Sequence, residues 1–361
     1  MSTSRDHGMP NVSWKAYGRM RTHLEEVTVK RILLQWLITI AALFASSGAE
    51  AGYSSLFVFG DSLSDSGNNA IALAPNVTPV PISGNTFIPT YPYASGQYTN
   101  DKVWAQFLAS SLGLSADPSL AGGTDWAFGG ATTGPVSSDL LAPFPPSLET
   151  QAAFFLLQNG NTAPSSALYV VAGGGNDARD ALGNIMSCNG NLGCIQGIIQ
   201  STAATFAMNI GTIVGELESA GAQNIAVWNT PDVGKAPAVL AQGAGAAAVA
   251  SLLAFDMNAA LLQAIGSDPD VRLFDLYGLL DSIIGDPAAF GLTDVTNACA
   301  QFSNCDPSTY LFWDGIHPTS AGQQIIADAM HRLTVPEPTT VALFGIGLAG
   351  LGFSRRRKRT R

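Results

Sequence analysis

Positive charge is nearly missing from most of this chain. Of its 17 Lys and Arg, twelve stand before Gly52 or after Val335, where only five of the 27 Asp and Glu lie. The body between them, 52–335, carries five bases against twenty-two acids, a formal charge of −17 within a total of −10. With no basic stripe to overcome that field, the body repels phosphate backbones and anionic lipid surfaces, which argues against nucleic acid as a partner. Histidine is also scarce: only His317 and His331 fall in the body. The four cysteines stand six apart in pairs with no histidine nearby, a spacing that does not suit a zinc site. Walker and zinc-protease motifs are absent, as is any internal repeat.

Apolar residues, in contrast, make up 47% of the chain. A body of roughly 280 residues can bury one large core and leaves little room for a second domain. The expected organisation is a leader and signal peptide over 1–51, one folded domain over 52–335 and a tail over 336–361.

At the amino-terminal end, Lys30 and Arg31 precede the apolar run ILLQWLITIAALFA, which closes on Ala49-Glu50-Ala51. Charge, short apolar core and small-residue cleavage pattern describe a secretory signal peptide, and an uncleaved anchor is the alternative. The long stretch before Lys30 leaves Met20 open as the start of translation. At the other end stands VPEPTTVALFGIGLAGLGFSRRRKRTR. Its apolar part, Val341 to Phe353, reaches about 20 Å as a helix against a hydrocarbon core of about 30 Å, so it holds a membrane poorly. The Pro-Glu-Pro, apolar run and basic cluster resemble a PEP-CTERM sorting signal. That resemblance implies a Gram-negative source, tail removal by an exosortase-like membrane peptidase, and delivery to the envelope or outside. A plain tail anchor is the other reading.

Export permits disulfides. Four cysteines allow three connectivities, of which Cys188–Cys194 with Cys299–Cys305 is the simplest, each closing a short loop worth about 2 kcal/mol.

The runs YSSLFVFGDS, ALYVVAGGGND, NIAVWNTPD and VRLFDLYGLL are apolar on consecutive residues, each with Gly, Asn or Asp at or near its end, and helix-like stretches separate them. Continuous rather than alternating apolar character belongs to strands covered on both faces, and parallel strands need crossover helices. The pattern predicts an α/β fold, a three-layer α/β/α sandwich with a mainly parallel central sheet. In such sheets sites form outside the carboxyl ends of the strands, where Ser62 and Asn176 fall. The stretch 76–98, rich in Pro, Gly, Ser, Thr and Tyr, reads as a long loop flanking that site.

Chemistry enters through four blocks. FVFGDSLSDSGNN offers Ser62 in a turn. DWAFGGATTG offers Gly130, whose missing Cβ lets a backbone N–H approach a substrate oxygen. VVAGGGNDARD offers Asn176, a neutral amide donor. FWDGIHPTSAGQQIIADAM sets Asp314 and His317 three residues apart on a turn. A serine hydroxyl is a poor nucleophile until an imidazole takes its proton, and a carboxylate on the other ring nitrogen fixes the tautomer. Read singly, GDSL and GGND are ordinary turns, Gly130 part of a loop, Asp314 a helix cap and His317 a satisfied histidine.

Together, and in this order, the blocks resemble the GDSL (SGNH) lipases and esterases, in particular the lecithinase, haemolysin and outer-membrane esterase branch, over about Leu56 to Leu333. The resemblance implies a flavodoxin-like fold, Ser62 as nucleophile, Asp314 and His317 completing the triad, and an oxyanion hole of Ser62, Gly130 and Asn176. It implies an ester substrate, a lipid acyl ester or an acylated glycan, and neither cofactor nor metal. Asp125 departs from the family, which often has Asn there, and leaves the geometry before Gly129 open. Ser62 lacks the G-x-S-x-G of α/β-hydrolases, and Asp65 breaks an S-x-x-K pattern. Alternatives to an esterase or lipase are an O-deacetylase of an exported polysaccharide and a catalytically inactive surface or matrix-binding protein.

Overall fold

A computed structural model describes residues 52–73, 82, 84–134 and 144–335. The expected leader over 1–51, the tail over 336–361 and part of the 76–98 loop lie outside the described residues.

Four short strands form the central sheet: β1 (Leu56–Gly60), β2 (Leu168–Ala172), β3 (Ile225–Trp228) and β4 (Val271–Phe274), side by side in that order. All pairs are parallel, with Val58 beside Val170, Val171 beside Val227 and Val227 beside Leu273. Residues 124–128 run along the free edge of β1. Trp126 N–H donates to Val58 O at 2.8 Å and Phe128 N–H to Gly60 O at 3.1 Å. The chain therefore leaves β1 for one side and later returns as β2 on the other. That reversal is the topological switch of doubly wound sheets, and ligand sites form beside it at the carboxyl ends.

Both faces of the sheet are apolar because both are covered. Phe57, Phe59, Tyr169, Val171, Ile225 and Val227 point into a core shared with helices Leu148–Gln158, Gly175–Met186, Leu192–Ser219 and Ala244–Ile265. Leu56, Val58, Leu168, Val170, Ala226 and Trp228 point into a second core with helices Trp104–Ser111 and Ser320–Thr334. The three-layer α/β/α sandwich thus follows from alternating side chains on strands whose two faces are both buried. Trp104 and Trp228 meet with ring centroids 4.5 Å apart in the second core, a contact worth about 0.5–1.5 kcal/mol beyond area burial.

The run VRLFDLYGLL is only partly strand. Its strand ends at Phe274, and Asp275 caps the helix Leu276–Gly285 by accepting the Gly278 N–H at 2.9 Å. A small two-stranded parallel sheet, β5 (Asp294–Ala298) with β6 (Tyr310–Phe312), was not legible from the polar DVTNA pattern. Cys188–Cys194 links the end of one helix to the start of the next, and Cys299–Cys305 closes a loop after β5.

Candidate active site

Ser62 follows β1 in a tight turn. The Asp61 carbonyl accepts the N–H groups of Ser64 and Asp65, each at 3.0 Å, and Asp61 Oδ1 accepts that of Leu63 at 3.0 Å. The turn cannot drift, because Asp65 is buried and its carboxylate accepts the N–H groups of Gly67, Asn68, Asn69 and Gly129 at 2.7–3.3 Å. Gly129 belongs to the loop after residues 124–128, so one carboxylate ties two strand ends together. Asp125 joins them again: Oδ2 accepts Ser66 N–H at 2.8 Å and Oδ1 accepts Ala127 N–H at 2.9 Å. The geometry left open by the departure from Asn is thus a cross-link between the two loops.

Asp314 and His317 lie on the turn between β6 and helix Ser320–Thr334. Thr319 caps that helix, its side chain accepting Gly322 N–H at 3.1 Å. Asp314 Oδ1 accepts the N–H groups of Ile316 and His317 at 2.8 and 2.7 Å, which folds the turn around the carboxylate. Oδ2 is then 2.6 Å from His317 Nδ1, and His317 Nε2 is 2.7 Å from Ser62 Oγ. All three residues are buried. A hydroxyl, an imidazole and a carboxylate in such a chain can move a proton off the hydroxyl while the carboxylate stabilises the imidazolium.

Asn176 stands in the first turn of helix Gly175–Met186, just after β2, and donates through Nδ2 to the Ala131 carbonyl at 2.9 Å. Its amide has a second hydrogen for another acceptor. Gly130 adopts φ +88, a conformation that side-chain-bearing residues rarely take. Ser62, Asn176 and His317 line one cavity of about 560 Å³; Gly130 and Asp314 do not, and Gly130 is tied to the cavity wall through the hydrogen bond that its neighbour Ala131 accepts from Asn176. That size suits a small organic ligand. The cavity wall is mostly apolar, including Leu182, Ile185, Val233, Val249 and Leu280, and Arg179 is the one cation among its lining residues.

Burial pushes the Asp61 carboxyl, which also lines this cavity, up to about 6, against the opposing pull of the Leu63 N–H and of His317. Asp65 is likewise pushed up to about 6 by burial, offset by its backbone donors. Burial raises Asp177, which accepts Thr133 N–H and Oγ1–H, and raises Asp125 well above the ordinary carboxylate range.

Contacts that motif reading did not supply come from the loop before Thr99. Tyr93 donates its hydroxyl to Asp314 Oδ2 at 3.2 Å, and the Tyr98 ring lies 5.2 Å from the His317 ring. The sequence signal was only that this loop is long and tyrosine-bearing. Among the described residues, Glu218, Asp268 and Asp270 could together hold a metal ion; none lines the cavity, and surface acids commonly converge without an ion.

Residues 56–330 match the family model described as GDSL-like lipase/acylhydrolase, and residues 334–358 match the PEP-CTERM protein-sorting motif. The chain is 29% identical over 326 residues to Esterase EstA of Pseudomonas aeruginosa, covering 80% of this chain and 48% of that protein. An uncharacterised protein of Pseudomonas putida is 30% identical over 341 residues, covering 84% of this chain and 52% of the relative. The chain thus spans about half the length of these relatives. A GDSL esterase/lipase of Arabidopsis thaliana is 27% identical over 328 residues, with coverage of 79% and 92%. Among solved structures, an extracellular lipase from Streptomyces rimosus superposes with a TM-score of 0.43 at 18% identity, covering 78% of this chain and 100% of the lipase.

Proposed function

Because the chain belongs to the GDSL-like lipase/acylhydrolase family, we propose that it hydrolyses carboxylic esters through an acyl-enzyme on Ser62. The observation that carries this reading is the unbroken chain Ser62–His317–Asp314, with two links of 2.7 and 2.6 Å, at the wall of an apolar cavity. Ser62 Oγ attacks the ester carbonyl carbon as His317 Nε2 takes its proton. The carbonyl electrons move to oxygen, where the N–H groups of Ser62 and Gly130 and the Asn176 amide receive the charge. A donor of this kind is worth about 2.7–4 kcal/mol in the transition state. As the tetrahedral centre collapses, the alcohol leaves with the proton from His317. Water, deprotonated by the same imidazole, then attacks the acyl-enzyme and returns free Ser62.

The apolar wall supports an acyl chain longer than acetyl as the group bound beside Ser62, and the acidic body supports a neutral or zwitterionic alcohol portion over a polyanionic one. The sorting motif supports export to the envelope or beyond in a Gram-negative bacterium, with the tail removed by an exosortase-like peptidase. Initial rates of the full chain on p-nitrophenyl acetate, butyrate, octanoate and palmitate, with acetylated xylan alongside, test the substrate. Higher kcat/KM on octanoate than on acetate is expected. Turnover confined to acetate and acetylxylan would instead mean a polysaccharide deacetylase.

A further inference from the structure

One oxygen of Asp314 serves two donors. Oδ2 receives His317 Nδ1–H at 2.6 Å and the Tyr93 hydroxyl at 3.2 Å, while Oδ1 is occupied by the two backbone N–H groups of its own turn. Tyr93 is held for this contact. Its N–H donates to Gln97 O at 2.9 Å, its carbonyl accepts from Gly96 at 2.8 Å, and its ring meets Trp313 edge-on at 5.9 Å. The same loop grips the Asp314–Pro318 turn at other points: Phe87 O accepts Gly315 N–H at 2.9 Å, and Thr99 Oγ1 donates to Pro318 O at 2.9 Å. Tyr93 does not line the cavity.

We propose that Tyr93 is a positioning residue of the triad: by donating to the Asp314 oxygen that also receives His317 Nδ1–H, it withdraws part of that oxygen's charge and moderates the hold of the carboxylate on the imidazole. The proposal rests on the reading of His317 as the general base. A carboxylate stabilises an imidazolium in proportion to the charge it presents, and a second donor on the same oxygen withdraws part of it. An imidazole that is already protonated cannot accept the serine proton, so this moderation sets the acid limb of activity. Burial and the Asp314 charge both push the Tyr93 phenol upward, so it stays a donor throughout the working range.

Other titratable groups face the same pair. Asp61 approaches His317 from the turn after β1, with Asp177 and Arg179 beyond it. The Tyr98 ring lies against the imidazole at an interplanar angle of 38°, with Asp65 behind it. None of these donates to Asp314 Oδ2 among the described residues, so removing the Tyr93 hydroxyl isolates its effect. Tyr98 supplies the control, since its hydroxyl accepts from Asn69 Nδ2 at 2.7 Å and donates to Thr90 O at 3.3 Å, away from the carboxylate.

The test follows the His317 imidazole Cε1–H signal by NMR against pH in the full chain, wild type, Tyr93→Phe and Tyr98→Phe, with the signal assigned by its loss in His317→Gln. The expected result is a midpoint raised by about half to one pH unit in Tyr93→Phe alone, with the acid limb of kcat/KM moving in parallel at little changed KM. Replacing Tyr93 by a ring-fluorinated tyrosine, a stronger donor of the same shape, is expected to move the midpoint down, and serves if the phenylalanine variant does not fold. A His317 titration that superimposes on wild type in the folded variants overturns the proposal. Because this readout needs no turnover, it separates failure of the proposal from failure of the ester-hydrolase reading, which would appear as no Ser62-dependent activity in the wild-type chain.

Discussion

Gly315 donates its N–H to the Phe87 carbonyl at 2.9 Å, and its own carbonyl accepts the N–H of Ala238. The turn carrying Asp314 and His317 is thereby clamped between the loop before Thr99 and the start of the short helix Pro237–Leu240. A Cβ on Gly315 would stand 2.6 Å from Phe87 O and 2.7 Å from Asn85 O, both backbone atoms that cannot yield alone. Gly315→Ala is therefore expected to displace the turn and lower kcat by about a hundredfold, the effect of an approximately 1 Å misplacement. Steady-state kinetics with a thermal melt on the same preparation checks this, and wild-type kcat would show the clamp to be dispensable.

Asp61 makes stability depend on pH. Its carboxyl keeps its proton up to about 6 in the fold, against an ordinary value of 3.8, so between those values the folded state binds more protons than the unfolded chain. Stability from this group is fully present below about 3.8 and is lost as pH rises through about 6. Asp61→Asn retains an acceptor for Leu63 N–H without the charge. Its stability relative to wild type is expected to improve between pH 4 and pH 7 by on the order of 3 kcal/mol at most. Denaturant melts at both pH values measure it, and a difference constant with pH contradicts the assignment.

The cavity wall sets chain length if it holds the acyl group. Ala246 lines it near the start of helix Ala244–Ile265. Ala246→Phe is expected to reduce kcat/KM on octanoate at least about tenfold and to change acetate little, since steric exclusion acts only on what must enter. An equal loss on both esters would place the acyl group elsewhere.

Cys188–Cys194 closes a loop with a sequence separation of 6. Replacing both cysteines by serine is expected to cost about 2 kcal/mol by the chain-entropy argument, a shift of several degrees in Tm. Calorimetry on the oxidised chain and the double variant decides, and coincident melts would assign the bridge no role in stability.

The sandwich was legible because β1, β2 and β3 are continuous apolar runs covered on both faces. The places of Ser62 and Asn176 at the carboxyl ends of two such runs were legible with it, whereas the roles read for them came from the resemblance of their blocks to the family. Asp314 and His317 were paired by the resemblance of their block to the family, and a three-residue turn does bring both onto one loop. Other contacts are not local. Tyr93 reaches Asp314 across 221 positions, and Gln151 binds both the N–H and the carbonyl of Gly60 across 91. No short pattern encodes such pairings; they arise when segments far apart in sequence pack at one sheet edge. Residues 124–128 escaped for a related reason, since their role as a fifth track depends on the free edge of β1 rather than on their own apolar content.

The central claim is that Ser62 is the nucleophile, its hydroxyl 2.7 Å from His317 Nε2. The most direct measurement is the initial rate of p-nitrophenyl butyrate hydrolysis by the full chain and by its Ser62→Ala variant, with circular dichroism confirming that both are folded. A rate falling at least about a thousandfold in the variant is predicted, because loss of the nucleophile removes the acyl-enzyme route. Equal rates in the two folded proteins would contradict the account.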